Sequence, residues 1–310
     1  TKEEIQNNGI LEGAIFTHVN DIVGADGPKL NVESEDAEFN AAFESLWEKV
    51  WAMPDLAGQD SGAEILQQAV RGLWHSGCYL AEITNEDPEI MAQRLRVDPE
   101  DPLGMISVRL ADIHPRRLSS PQQALANDKF AGGIERDARG RIVNYWIKDE
   151  FANDSAVFLS ESWTPLPPKS VVHIYAKKEP GNTNGAPLDA SALDTISGLH
   201  DLDDAVLEAA RGQTYASIVL TASDPDRVPI PVTSSVSLKK NSIFAAPPGY
   251  QATGFTPTQP TIQYIPYRHE RLREIGRPVG MPLMMVLLDS SGHNYSSARF
   301  DNQVYLRGIE

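Results

Sequence analysis

Cysteine is nearly missing from this chain: Cys78 stands alone among 310 residues. One thiol can form neither an intrachain disulfide nor a cysteine-based zinc site, so a reducing compartment suits it. No apolar run approaches the ~20 residues that span a bilayer. The opening Thr1-Lys2-Glu3-Glu4 has neither the basic nor the apolar region of a signal peptide, so membrane insertion and Sec-type export are not expected. Basic side chains are also scarce: 27 Lys and Arg face 43 Asp and Glu, a formal net charge of −16. Such a surface repels phosphates, which disfavours ordinary tight nucleic-acid binding.

Catalytic fingerprints are missing too. The seven histidines show neither His-x-x-x-His spacing nor a His-Glu-x-x-His pattern, so no metal is expected. There is no Gly-x-x-x-x-Gly-Lys-Ser/Thr loop and no Gly-x-Gly-x-x-Gly after a strand, which argues against an NTPase or a dinucleotide enzyme and implies no cofactor. What is present is a globular composition, 41% hydrophobic and 23% charged, which excludes a disordered, collagen-like or coiled-coil chain. The length predicts two domains or one large elaborated one.

Apolar periodicity predicts a helix over 34–53, with Phe39, Phe43, Leu46, Trp47, Val50 and Trp51 on a face expected to be core. A second helix should open at Ser61, whose spacing to Glu64 fits a capping box, and stop at Gly77. Short β-like runs follow at 79–84, 105–113, 143–148, 156–159 and 171–175, with a hairpin turn at Asp137–Arg141 in which Gly140 supplies positive φ. A Gly/Asn/Pro stretch at 179–185 marks a boundary. Beyond it Pro187 suits a helix start, and an apolar stripe of Leu188, Ala192, Ile196, Leu199, Leu202, Val206 and Ala210 runs to Gly212. The same helix stacks Asp194, Asp201, Asp204 and Glu208 on one side, with Arg211 as an i+3 partner of Glu208.

Further β-like pieces are expected at 214–221, 236–238, 242–244 and 261–265. A helix is expected at 268–275 with breaks at Gly276 and Pro278, then an apolar run over 281–288, and a last helix beginning at a Ser296 cap. The sequence ends there without a C-terminal signal, which reads as truncation. The fold class expected is α+β, mixed and mostly antiparallel.

Three clusters could carry chemistry. Ser290-Ser291-Gly292-His293 could hold an activated nucleophile, but no Gly-x-Ser-x-Gly elbow surrounds it, and it reads as a loop. Asp203 and Asp204 could serve acid/base chemistry, yet consecutive helical residues diverge by ~100° and such pairs are mostly solvated. Cys78 reads as a small buried filler, and the tryptophans 47, 51, 74, 146 and 163 as core anchors.

Val279-Gly280-Met281-Pro282, then Leu287-Leu288-Asp289, then Asn294-Tyr295-Ser296-Ser297-Ala298-Arg299 resemble the signature stretch of lambda-type tailed-phage portal proteins. Further blocks occur in that family's order. They are Ile22-Val23-Gly24 with Leu46-Trp47 and Trp51; Gly133-Ile134-Glu135 with Gly140 to Tyr145; Val171 to Tyr175 with Pro180-Gly181 and Gly185-Ala186-Pro187; and Asp201-Leu202-Asp203-Asp204 with Ala209-Ala210-Arg211. The resemblance covers nearly the whole chain.

The resemblance implies a ring, usually a dodecamer, at the capsid portal vertex of a virion assembled in the bacterial cytoplasm. Double-stranded DNA passes through it during packaging and ejection, while capsid and scaffold proteins, the terminase large subunit and head-completion proteins dock on it. Family order makes 1–185 the wing domain, 186–213 the first stem helix, 214–265 a small β-rich clip, 266–283 the second stem helix, 284–297 the tunnel loop (Asp289, Ser290, Ser291, Gly292, His293, Asn294) and 298–310 the start of a truncated wing or crown helix. No catalytic residue is implied.

A conduit for a polyanion should not grip it, so Asp194, Asp201, Asp204 and Glu208, with Arg211 compensating locally, are expected either to line the channel or to face a neighbouring protomer. The rival readings are another phage structural protein, such as a head-tail adaptor or baseplate component, and a serine hydrolase built on Ser291 and His293.

Overall fold

The computed structural model describes residues 8–85, 87–95, 98, 107–121, 124, 127–149, 162–214, 217–222, 250–255 and 263–309. The expected strands at 156–159, 236–238 and 242–244 lie outside them. The chain divides into two compact units, 1–193 with 275–310, and 194–274.

The first unit opens with a helix the apolar pattern did not announce, α1 (Gly9–Val23). Gly9, Gly13 and Thr17 weaken its propensity, yet Asn8 caps it by accepting from the Ile10 and Leu11 amides. Leu11, Ala14, Ile15, His18 and Val19 form its buried stripe. Helix α2 (Ala37–Ala52) starts one residue after its cap, Asp36. The expectation that its apolar face is core is overturned, because no residue of α2 is buried. Helix α3 (Gly62–His75) has the predicted capping box: Ser61 Oγ accepts from the Glu64 amide, and the Glu64 carboxylate accepts from the Ser61 amide at 2.7 Å. Those bonds hold Glu64 below the usual carboxylate range. Gly77, at φ +78°, ends this segment where a Cβ would lie 2.6 Å from the Gly185 oxygen.

Strand β1 (Cys78–Asn85) is the centre of an antiparallel sheet, flanked by β2 (Val108–Ile113) and β7 (Val171–Tyr175). Between β1 and β2 runs the short helix α4 (Pro88–Leu95), also unannounced. A second antiparallel sheet has the order β3 (Phe130–Ala131), β4 (Ile134–Arg136), β5 (Ile142–Lys148), β6 (Trp163–Leu166). The β4–β5 turn is the predicted hairpin, with Gly140 at φ +80° and Asp137 receiving the Arg139 and Arg141 amides and the Arg141 guanidinium.

The two sheets share one core of Cys78, Leu80, Ile113, Leu118, Ile134, Tyr145, Ile147 and Val171. On the other face of the first sheet, Ile65 and Ala69 of α3 pack on Tyr79 and Ala81. The layers are therefore helix, sheet, sheet. Of the five tryptophans expected as anchors, Trp74 alone is fully buried; the other four are half-exposed, and Trp146 and Trp163 turn their indole N–H to Glu135 and Ser119.

Pro187 does not begin a helix. The Leu188 amide donates to the Leu73 oxygen at 3.1 Å, the Ala190 amide closes a turn on the Pro187 oxygen at 3.1 Å, and α5 runs Leu193–Thr214, 22 residues or about 33 Å at 1.5 Å each. In the second unit β8 (Ser217–Ala222) pairs antiparallel with β9 (Tyr250–Phe255).

Tyr264 and Ile265, expected in a strand, belong instead to α6 (Tyr264–Gly276), whose first turn is closed by Tyr267 N–H on the Gln263 oxygen. The helix stops at Gly276, where a Cβ would lie 2.5 Å from the Met281 oxygen, so residues 266–283 do not form one rod. A single 3₁₀ turn, Arg277–Val279, leads to α7 (Leu283–Leu287) and then α8 (Tyr295–Ile309). The cap of α8 is Asn294 rather than Ser296, because Asn294 Oδ1 accepts from the Ser297 amide at 2.9 Å. This is the α+β class the sequence implied.

Candidate functional site

Helix α5 separates its charges by face. Asp194, Asp201, Asp204, Glu208 and Arg211 are all solvent-exposed. Arg211 pairs with Glu208 at 2.8 Å, and His200 lies 3.7 Å from Asp204. Asp203, about 180° around the helix from Asp194, sits on the apolar side with buried Ile196 and Leu199. It accepts from the Tyr264 hydroxyl at 2.6 Å and from the Arg268 guanidinium at 3.2 Å, tying α5 to α6. Burial, then the bond to Asp203, raises the Tyr264 hydroxyl. Asp203 and Asp204 are thus a structural anchor and a surface charge, not an acid/base pair. Arg268 had no signal in the sequence beyond its place on a helix, and Tyr264 was expected in a strand.

The loop after α7 begins at Leu288, a non-glycine residue in the left-handed region at φ +50°, 72% exposed. Asp289 Oδ1 accepts from the Ser291 amide, and the Ser290 oxygen accepts from the His293 amide. His293 Nε2 faces Asp301 at 4.0 Å. Among the described residues no hydrogen bond joins His293 to the hydroxyl of Ser290 or Ser291, so the nucleophile arrangement is not assembled. Asn294 spends its side chain on capping α8; Tyr295 is exposed, Ser297 donates to the Asn294 oxygen, and Ala298 and Arg299 line a groove between α7 and α8. Cys78 is buried between the sheets, its thiol pushed up to about 11 by that burial.

Among the described residues no group of three or more His, Cys, Asp or Glu could hold a metal ion, and no helix is long and apolar enough to cross a membrane.

The chain belongs to the lambda family of phage portal proteins, whose family profile matches residues 2–310. It is 20% identical over 226 residues to the portal protein of Escherichia phage N15, a match covering 66% of this chain and 39% of that protein. The fold is similar to a chain in the neck of an empty GTA particle computed with C6 symmetry, with TM-score 0.57 and 13% identity, covering 98% of this chain and 73% of that one. It also resembles a chain in the neck of a native GTA particle computed with C12 symmetry, with TM-score 0.55, 13% identity and coverage of 98% and 72%.

Proposed function

We propose that this chain is a protomer of a portal ring, about twelve copies around a bore at one capsid vertex, through which double-stranded DNA is packaged and later ejected. The observation that carries this reading is the family match over residues 2–310, supported by the fold shared with a particle neck of twelve-fold symmetry. Residues 1–185 act as the wing. Helices α5 and α6 act as stem elements, with the β8–β9 ribbon in the clip that meets the terminase and the head-completion proteins. The loop 288–294 serves as the tunnel loop.

Asp194, Asp201, Asp204 and Glu208 turn toward the bore, where carboxylates keep the duplex centred. Each Lys or Arg contact would instead release counterions and add friction. The net charge of −16 agrees with a wall that repels its cargo. The protomer itself performs no chemistry, and a separate terminase supplies ATP hydrolysis. Mass photometry and negative-stain imaging of the chain test the reading. Annular particles of about a dozen subunits are expected; a persistent monomer that cleaves ester probes, with activity lost in Ser291→Ala, would replace it with the hydrolase.

A further inference from the structure

Helix α2 leaves an apolar face uncovered in the first unit. Its Asp36 cap and 16-residue length make it a well-formed helix, yet none of its residues is buried, and Phe39 and Phe43 stay 53% and 44% exposed with their rings 5.9 Å apart. Phe39, Phe43, Leu46 and Val50 recur on one face, and only the C-terminal half is partly covered, where Trp51 stacks on Trp47 and packs over Gly62. The segment from Glu33 to Glu48 carries six carboxylates and no basic residue. One side of this element is therefore apolar and its flanks are acidic.

A second open apolar surface lies on the same unit. A groove of about 460 Å³ runs between α7 and α8, lined by Met284, Met285, Leu288, Tyr295, Ala298 and Arg299. Leu288 and Tyr295 are 72% and 80% exposed there. Phe300 and Val304 of α8 are exposed too, but on the side of the helix turned away from the groove. The exposed basic groups of this helix are Arg299 and Arg307. Of these two only Arg299 lines the groove, which is therefore apolar with one cationic edge that can meet the carboxylates of α2.

Packing places the two surfaces at opposite ends of a row. Helix α2 packs on α3 through Trp51 and Gly62. Helix α3 packs on α1, where Trp74 donates to His18. Helix α1 packs on α7, and His18 lies 6.1 Å from the Tyr305 ring of α8. The row leaves an apolar, acid-flanked helix face uncovered at one end and an apolar groove edged by Arg299 uncovered at the other. Each can be covered by a second copy, and repeating such a head-to-tail contact closes a ring when the rotation between copies permits.

The geometry points to a head-to-tail joint in which the Phe39–Phe43 edge of α2 on one protomer seats in the α7–α8 groove of the next, with Arg299 meeting the acidic flank of α2. This rests on the ring reading above and deepens it by assigning the contact surfaces.

Two experiments on the chain test it. In Phe39→Ser/Phe43→Ser the ring fraction at fixed concentration should fall about tenfold or more, as expected when two buried anchors are lost. Circular dichroism should stay unchanged, because both residues are exposed in the protomer. In the second, Phe43→Cys and Tyr295→Cys are treated with a short bis-maleimide, Cys78 being buried and unreactive. A chain carrying both cysteines should give a ladder of multimers, and a mixture of the two single variants should give dimers only.

Cross-linking by Phe43→Cys alone, which means two α2 faces meeting, would overturn the inference. So would undiminished rings in Phe39→Ser/Phe43→Ser, or rings of the chain carrying both Phe43→Cys and Tyr295→Cys in which the two cysteines never join; in these cases the portal-ring reading stands. A wild-type chain that forms no ring at all overturns that reading, and the joint with it.

Discussion

His18 joins three helices through one neutral imidazole. Trp74 donates to its Nδ1 at 2.9 Å, and the Tyr305 ring lies beyond it. Burial holds its pKa below the ordinary value, against a smaller upward pull from Asp21. The unfolded chain therefore takes up the proton first, so this contribution to stability is complete above pH ~6.5 and is lost as pH falls through the depressed folded value. In thermal melts from pH 8 to 5, the wild type should lose stability on the acid side. His18→Asn, which keeps an acceptor near the Nδ1 position, should show a shallower acid limb, with about 1 kcal/mol lower stability at pH 7.

Asp189 has the opposite sign. It is fully buried, with no side-chain donor reaching its carboxylate among the described residues, and burial raises its pKa against smaller downward pulls from its own amide and Lys178. A group raised in the folded state favours folding below its unfolded value near 4 and costs stability as pH rises through the folded value. Asp189→Asn should stabilise the protein by about 1–2 kcal/mol at pH 7, with the difference vanishing toward pH 4. Denaturant unfolding at the two pH values checks this; a less stable Asn variant at pH 7 would mean that the charge has a partner in the assembly.

Among the elements, α5 shows what helical spacing can and cannot reveal. The exposed row of Asp194, Asp201, Asp204 and Glu208 and the Arg211–Glu208 pair were legible, because spacings of three, four and seven fix which residues share a face. That Asp203 belongs to a different face was also legible. Its partners were not, since Arg268 lies 65 residues away and only tertiary packing brings it near. Asp203→Ala should cost about 1–3 kcal/mol by stranding the half-buried Arg268, whereas Asp204→Ala should stay within about 0.5 kcal/mol. Urea unfolding of both variants separates an anchor from a surface charge.

Helix α2 is the converse lesson. Its apolar period was legible and its burial was not, because amphipathicity states that a face needs covering without stating which chain covers it. Helix α1 escaped notice because glycines at 9 and 13 interrupt its pattern, and its place comes from the buried contacts of Ile15, His18 and Val19.

For the whole molecule, the layered helix-sheet-sheet unit and the acid-faced helix have separate physical roles. The first unit carries two unmatched apolar ends suited to joining copies, while the second presents carboxylates that favour no contact with a phosphate backbone. If α5 walls the proposed bore, carboxylates there lower its affinity for DNA, and affinity is what a translocating motor would have to overcome at each step. The family was legible through motifs such as Val279 to Pro282 and Asn294 to Arg299, which lie at the two ends of the α7 segment. The interruption at Gly276 was signalled by Gly and Pro, although the close approach to Met281 that enforces it was not.

The central claim is that this acidic face looks onto a bore. A cryo-electron microscopy map of the assembled ring, at a resolution that places side chains, tests it most directly. The account predicts Asp194, Asp201, Asp204 and Glu208 projecting into an open axial channel wide enough for duplex DNA. Finding those carboxylates sequestered in contacts between subunits, or a channel lined instead by Lys and Arg, would contradict it.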